Sequence, residues 1–317
     1  MAATVAEYLV KSAKLKKGSA KFIDKLQIVG TQFATLEGLK KASLRSIYSR
    51  TTIDKQPLIR PFTPKEEALF KLIKKEIDTS ISIEDNFIRL LTASYIRKQI
   101  DAVNSITISS FNTNPLLGAA LKLDNPEELV RYCVYASASR SLVTSMGTMV
   151  EDLLLYSNVD VKDGADYQEG LSNKWDLVIE RLDSVRTYIE VKSGPNDMDK
   201  TQIKSYSNEI KALEADGYKG FIGIGYGRKD MASVTTPMLR LYLDDWEEHT
   251  LIGTELWEYV SNHPGYHMKL MTVIKDTASV VLKKKSIIKL IEQRIKTLTA
   301  EFKETYSSID DYYSQLW

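Results

Sequence analysis

The sequence has few of the residues that stabilise small secreted proteins or bind zinc. Its 317 residues include one cysteine and three histidines. A single cysteine, Cys133, excludes an internal disulfide framework and is typical of a protein from the reducing cytosol. It cannot form a zinc finger either, and the histidines lack HExxH spacing. We therefore expect a cytoplasmic protein.

The chain also has almost no net charge and no long apolar run. The formal net charge at pH 7 is +1, because 43 Lys and Arg face 42 Asp and Glu. Any affinity for nucleic acid must therefore come from a local basic surface. No apolar run approaches the roughly 20 residues of a membrane span, and the N-terminus lacks the apolar core of a secretory signal. The sequence predicts no association with a membrane.

The N-terminal half of the chain has mostly the 3.6-residue periodicity of helices. Thr63-Pro64-Lys65-Glu66 supplies an N-cap, a proline at the first helical position and a capping-box glutamate. It predicts a helix to about Ile77, and further helices are predicted over 83–103, from Asn125 onward and over 139–156. Helices therefore dominate residues 1–157.

From Val159 the pattern changes to short apolar segments. These predict strands near 159–162, 176–182, 187–193, 219–226 and 239–243. Helices are predicted over about 200–215 and 280–305. We expect an α/β (α+β) protein with a helical region at 1–125 and an α/β core at 126–317 that ends in a helix.

The segment from Trp175 to Pro195 carries charged residues where apolar strands rarely keep them. It reads as two strands joined by a short turn, with Asp176 at the head of the first strand. Glu190 and Lys192 lie near the end of the second strand and, because side chains alternate, point to one face. Two carboxylates and an ammonium at one end of a hairpin suggest a site that binds a divalent metal ion and cleaves phosphodiesters.

Phosphodiester hydrolysis requires an activated water and neutralisation of charge at the phosphate, which Mg²⁺ held by carboxylates supplies. Mg²⁺ prefers oxygen ligands and keeps several waters. Asp176 and Glu190 are the predicted ligands, with the backbone carbonyl of Val191 as a third candidate. Lys192 would orient the attacking water or stabilise the developing negative charge.

The spacing of Asp176, thirteen intervening residues and Glu190-Val191-Lys192 resembles the PD-(D/E)xK nuclease superfamily, in particular type II restriction endonucleases. In that superfamily the acid and the ExK pair lie on adjacent strands of a mixed sheet flanked by helices. Glu151 matches an additional glutamate on the preceding helix, and Gln202 with Tyr206 matches the QxxxY element of some members. Trp-Asp stands where the nominal motif has Pro-Asp.

The resemblance implies an enzyme that uses Mg²⁺ to cut double-stranded DNA at a specific site. It implies 5′-phosphate and 3′-hydroxyl ends, a homodimer, and a separate cognate DNA methyltransferase. Residues 1–125 would then serve DNA recognition, dimerisation or both, and residues 126–317 would form the nuclease core. The cations best placed to approach DNA are Arg228, Lys229 and Arg240.

Several alternatives stay open at this point. Asp160, Asp163 and Asp166 compete with Asp176 for the role of first acid; Asp176 is preferred because it opens an apolar strand that can pair with 187–193. The same core also suits a repair or phage-type exonuclease, which QxxxY favours. In a non-catalytic DNA-binding protein, the acids and lysine would be a surface ion-pair network, contributing about 0–1 kcal/mol per pair.

Overall fold

The structure is a computed structural model that describes residues 4–52, 55–168, 170–171, 174–182, 184–230, 235–283 and 285–317. Helices come first along the chain: α1 (Val5–Leu15), α2 (Ala20–Gly30), α3 (Leu36–Lys41), α4 (Leu44–Tyr48), α5 (Pro64–Glu76), α6 (Ile83–Ser105), α7 (Pro115–Ala120) and α8 (Pro126–Leu155). In the described part of the chain, no helix has both the length and the apolar character to cross a membrane.

Strands and helices alternate after α8. Their bounds are β1 (Val161–Asp163), β2 (Leu177–Ile179), β3 (Thr187–Lys192), α9 (Lys200–Ala215), β4 (Lys219–Ile224), α10 (Thr235–Tyr242) and β5 (Thr250–Ile252). Four helices complete the chain: α11 (Thr254–Ser261), α12 (Tyr266–Leu282), α13 (Ile287–Thr305) and α14 (Ile309–Ser314). The predicted order, helices followed by an α/β region, is confirmed.

The helix starts follow from local hydrogen bonding. At α5, Thr63 Oγ1 accepts from the Glu66 N–H at 3.3 Å, and the Glu66 carboxylate accepts from the Thr63 N–H at 2.8 Å. This capping box satisfies two donors that the first turn would otherwise leave unpaired. Pro64 follows at the first helical position, as the sequence predicts.

The strands form one mixed sheet whose spatial order, β1-β2-β3-β4-β5, is the order of the chain. β1, β2 and β3 pair antiparallel, whereas β3, β4 and β5 pair parallel. In the register of the central strands, Tyr188 lies opposite Val178 on one side and Gly220 on the other. The predicted hairpin of the two charged strands and the mixed sheet are both confirmed.

Close packing accounts for the glycine-rich sequence of β4. A Cβ atom placed on Gly223 would lie 2.7 Å from Cδ1 of Leu256, which α11 packs against the sheet. Any side chain there would displace the helix, because protein interiors leave no spare volume. The glycines of β4 therefore belong to a tightly packed strand.

The predicted strand over 239–243 is wrong, since these residues lie in and just after helix α10. Leu239, Leu241 and Leu243 alternate with polar residues and so have the period of a strand. In the structure Leu239 and Leu243 are buried, whereas Leu241 is 72% exposed. The spacing that matters is therefore i, i+4. The strand that pairs with β4 at this side of the sheet is β5, which is three residues long and was not predicted.

Two compact units are each assembled from two separate stretches of chain. The first unit contains Met1–Leu91 and Val150–Ile274, and the second contains Thr92–Met149 and Lys275–Trp317. The sequence prediction was of two consecutive regions, 1–125 and 126–317, and the roles assigned to them stay predictions. The second unit has its own core, in which Leu129, Val130 and Val134 pack with Leu298 and Phe302.

The described residues of the first unit include two hydrophobic clusters. The helical core is formed around Tyr8, Leu9, Phe22, Leu26, Phe62, Phe70, Ile73 and Phe87. The sheet core is formed around Trp175, Val178, Tyr188, Ile203, Tyr206, Ile210, Ile222, Ile224 and Leu239. Asp176, Glu190, Lys192 and Gln202 lie on or next to elements that supply the sheet core, whereas Glu151 lies on α8.

Candidate active site

Asp176 is attached to the neighbouring strand by two hydrogen bonds. Its backbone N–H donates to the Ile189 carbonyl at 3.2 Å, and its Oδ2 accepts from the Val191 N–H at 2.7 Å. β2 begins one residue later, so the side chain occupies the place where the strand ladder would otherwise continue. The antiparallel pairing of β2 and β3 thus brings this carboxylate to Glu190-Val191-Lys192.

Glu190 and Lys192 lie on one face of β3, as the alternation predicts. Lys192 Nζ lies 2.5 Å from Glu190 Oε1. Glu190 is only 5% exposed, an unusual degree of burial for a glutamate. A single lysine therefore compensates a carboxylate in a largely water-excluded place.

Glu151 completes a cluster of three carboxylates. Burial raises the pKa of Asp176 to about 7, and repulsion from Glu190 and Glu151 adds to the shift, while the Val191 N–H opposes it. Burial likewise raises the pKa of Glu151, with repulsion from Glu190 adding. Asp176 and Glu151 both line a cavity of about 460 Å³. Like charges gathered in a cleft with raised pKa values are a mark of functional sites.

Tyr206 on α9 is the fourth side chain of this cluster. Its hydroxyl donates to the Lys174 carbonyl at 2.8 Å, and its ring packs edge-on against Trp175. Burial raises the pKa of the hydroxyl, and the negative charge of the neighbouring Glu190 adds to the shift. Tyr206 was not predicted as a site residue, although its spacing from Gln202 in QxxxY is a signal in the sequence that could have identified it.

Gln202 lies in the first turn of α9, the helix after β3. Its N–H donates to Asp199 Oδ1 at 2.9 Å, and its side-chain oxygen accepts from the Asp199 N–H at 3.1 Å. These bonds form the capping box of α9 and leave the side chain exposed. The structure thus gives Gln202 a role in starting the helix, and its predicted catalytic role stays a prediction.

Of the competing acids, Asp163 alone lines the same cavity as Asp176; Asp160 and Asp166 are not among the described residues that do. Asp163 Oδ1 accepts from the Ala165 N–H at 2.9 Å and so starts a short 3-10 turn. Asp176 differs from it by bonding directly to β3. That contact favours Asp176 as the first acid.

The donor set suits a hard cation. Across the described ranges, no three His, Cys, Asp or Glu side chains converge into a ready-made metal site. The predicted ligands are two carboxylates and one carbonyl, and Mg²⁺ fills its remaining positions with water. The mutual repulsion that raises the pKa of Asp176 is what a bound cation would relieve. The residues therefore fit a magnesium ion.

The family model described as Type II restriction endonuclease EcoO109I matches residues 82–282, well over half of the chain. The chain belongs to this family. The match includes Glu151, Asp176, Glu190 and Lys192, and it confirms the resemblance to PD-(D/E)xK restriction endonucleases. A chain of this restriction endonuclease family is a nuclease that acts on double-stranded DNA. No curated protein matches the chain.

The cations predicted to approach DNA lie in the loop after β4 and on α10. Arg228, Lys229 and Arg240 do come together after β4, since Arg240 Nη2 donates to the Lys229 carbonyl at 3.4 Å. Two of them are engaged by acids: Arg228 Nε lies 3.0 Å from Asp230, and Lys229 Nζ lies 3.1 Å from Glu255. Their predicted role in binding DNA stays a prediction.

Proposed function

We propose that the chain is a Mg²⁺-dependent type II restriction endonuclease. It would cut both strands of DNA at a specific sequence and leave 5′-phosphate and 3′-hydroxyl ends. One observation carries the proposal: Asp176, Glu190 and Lys192 meet at the end of a buried hairpin, within the range that matches the family.

Asp176 and Glu190, with the carbonyl of Val191, would hold the magnesium ion. When bound, the ion supplies charge neutralisation at the phosphate and lowers the pKa of a bound water. The Val191 N–H donates to Asp176 Oδ2 at 2.7 Å, and this bond sets the orientation of the carboxylate in advance. Preorganisation of this kind avoids an entropic cost at the moment of reaction.

Lys192 would stabilise the negative charge that develops on the phosphate. Its ammonium already lies beside Glu190, so the same contact that compensates the acid holds the cation at the reaction centre. Tyr206 would fix Glu190 from the α9 side, and Glu151 would supply a further acid from α8. We assign no chemical step to Gln202, whose side chain caps α9.

Three further properties belong to the proposal because the family resemblance implies them. The enzyme would act as a homodimer on a symmetric site, since twofold proteins recognise twofold sequences. A separate methyltransferase would protect the host DNA. The single cysteine, Cys133, is typical of a protein from the reducing cytosol, and we infer that the enzyme works in the cytoplasm.

Digestion of a sequenced circular plasmid with Mg²⁺, followed by mapping of the ends, tests the function. Discrete fragments with 5′-phosphate ends are expected. Progressive loss of linear DNA from its ends would instead identify an exonuclease on the same core. DNA binding without cleavage at any concentration of Mg²⁺ or Mn²⁺ would identify a non-catalytic protein.

The site is tested by Asp176→Ala and Lys192→Ala. Each should lower the cleavage rate by at least about 10²–10³-fold, as removal of a preorganised charge does elsewhere, while the protein stays folded. Matched controls are Asp166→Ala and Lys162→Ala, which remove an exposed acid and an exposed lysine outside the cavity. Full activity of either site variant would refute the assignment.

A further inference from the structure

Three cations on α9 and α10 lie over aromatic rings. Lys200 Nζ and Lys204 Nζ lie 4.9 Å and 5.2 Å from the ring centroid of Tyr242. The guanidinium of Arg240 lies 5.1 Å from the ring of Trp246. All three cationic residues are exposed to solvent. An aromatic face attracts a cation and limits its rotamers, yet it carries no net charge to neutralise it.

Other cations on the same elements are already neutralised by acids. Lys211, also on α9, lies 2.5 Å from Asp244, just as Arg228 and Lys229 are paired in the loop after β4. Within the described ranges, neither Lys200, Lys204 nor Arg240 has a carboxylate within ion-pair distance. No acid of the described residues therefore compensates their positive charge.

These cations lie on the helices that follow the strands of the site. β3 ends at Lys192 and α9 begins at Lys200, while β4 runs parallel to β3 and leads into α10. Parallel strands end at the same edge of a sheet, and ligands of α/β sheets bind outside that edge. The start of α9 thus belongs to the edge that carries Glu190 and Lys192.

We propose that Lys200, Lys204 and Arg240 form a backbone-contact surface for the DNA that is cut. Tyr242 and Trp246 limit the rotamers of the cations that lie over them, so that less side-chain entropy is lost when phosphates bind. Contacts of this kind position the duplex and do not read its sequence. The inference rests on the proposed function, and it adds Lys200 and Lys204 to the cations predicted to approach DNA.

Binding of a labelled random-sequence duplex tests the surface. The Asp176→Ala protein, in a buffer with chelator, prevents cleavage, and the dissociation constant is measured over a range of salt concentrations. Each phosphate contact contributes about 0.9 to the slope of log K against log salt. Lys200→Gln with Lys204→Gln should make the slope shallower by about 2. The same double change should weaken binding to duplexes of unrelated sequence to an equal extent.

Lys211→Gln is the matched control, because it removes a lysine of the same helix that is paired with Asp244. Its slope should equal that of the parent. Lys200→Arg with Lys204→Arg keeps the charge and should also keep the slope. Tyr242→Leu removes the ring alone, so the slope should stay while affinity falls by about 2–5-fold.

The outcomes separate this surface from the function on which it rests. If the parent binds and cleaves DNA but the double glutamine variant has the parental slope, the surface is refuted and the nuclease is not. A parent that neither binds nor cleaves DNA refutes the function itself. If the double glutamine variant unfolds at a different temperature from the parent, the variant with Lys200→Arg and Lys204→Arg decides, because it keeps both charges. The salt slope of this arginine variant must equal that of the parent.

Discussion

Around the helical core of the first unit lysines meet glutamates, whereas beside the sheet three carboxylates share one lysine. In the helices, Lys16 lies 2.7 Å from Glu76 and Lys25 lies 2.8 Å from Glu66. At the sheet, Glu151, Asp176 and Glu190 raise one another's electrostatic energy. Opposite charges meet around the helical core, where packing alone is required, and like charges are kept together at the proposed site, where a cation and a phosphate would bind.

The largest expected effect breaks the helical core without touching the site. Phe22 is buried on α2 and packs edge-on against Phe62. Phe22→Ala should lower the free energy of unfolding by about 3–5 kcal/mol, because it leaves a cavity. Urea unfolding measures this loss, and the protein that stays folded should cleave DNA at the parental rate.

Ile28→Ala is the control on the same helix. Ile28 is 40% exposed, so its truncation should change stability by no more than about 0.5 kcal/mol. Equal losses for the two variants would show that the helical core does not depend on packing at Phe22.

The next substitution should raise the free energy of unfolding, whereas most substitutions lower it, because it removes a charge from the site. Asp176 has a pKa of about 7 when folded, above its ordinary value of 3.8. Its stabilising contribution is therefore complete below about pH 4 and is lost as pH rises through about 7. Asp176→Asn should exceed the parent in stability above pH 7 by about 1–3 kcal/mol, after allowance for solvent access to the cavity.

Denaturation at a series of pH values, without divalent metal, measures this difference. The advantage of Asp176→Asn should grow between about pH 4 and pH 7 and then level off. Asp166→Asn controls for the loss of one negative charge at an exposed position. A difference that is flat with pH would contradict the raised pKa, and with it the burial and charge repulsion that cause it.

The smallest expected effect concerns an ion pair of opposite charges that lies next to the carboxylate cluster. Lys11 on α1 lies 2.5 Å from Asp152, the neighbour of Glu151 in the cavity, and over the ring of Tyr156. Lys11→Met would leave Asp152 uncompensated, and the added negative charge would repel the DNA phosphate. We expect the cleavage rate to fall about 3–10-fold, equivalent to roughly 1 kcal/mol.

Lys16→Met removes an ion pair of similar burial from the same helix, but away from the cavity. It should reduce stability as much as Lys11→Met and leave cleavage unchanged. Asp152→Asn in the Lys11→Met background should restore the rate. Without that rescue, the role of Lys11 would be structural only.

The hairpin was predictable because its signals are local. Alternation along β3 predicts that Glu190 and Lys192 share a face, and an apolar strand headed by Asp176 predicts the pairing. Helix starts with a capping box, as at Thr63, are equally local. What failed at 239–243 was a pattern short enough to fit two periods, which only packing against the sheet decided.

Contacts between distant residues could not be predicted from one sequence. Lys11 and Asp152 are 141 residues apart, and nothing in either neighbourhood indicates the other. For Gln202 the sequence does contain a signal, but that signal is ambiguous, because the same motif suits a catalytic residue and a helix cap. Three-dimensional placement, not residue type, separates those two roles.

The sheet adds its strands in chain order, and this has a consequence for how the protein folds. β2 and β3 are joined by residues 180–186, whereas residues 193–218 separate β3 from β4. Because loop-closure entropy rises with loop length, pairing β2 with β3 costs the least chain entropy of these steps. The hairpin that brings Asp176, Glu190 and Lys192 together is thus also the pair of strands whose pairing loses the least chain entropy. The segment whose charge repulsion lowers stability at neutral pH is therefore the one that topology allows to form first.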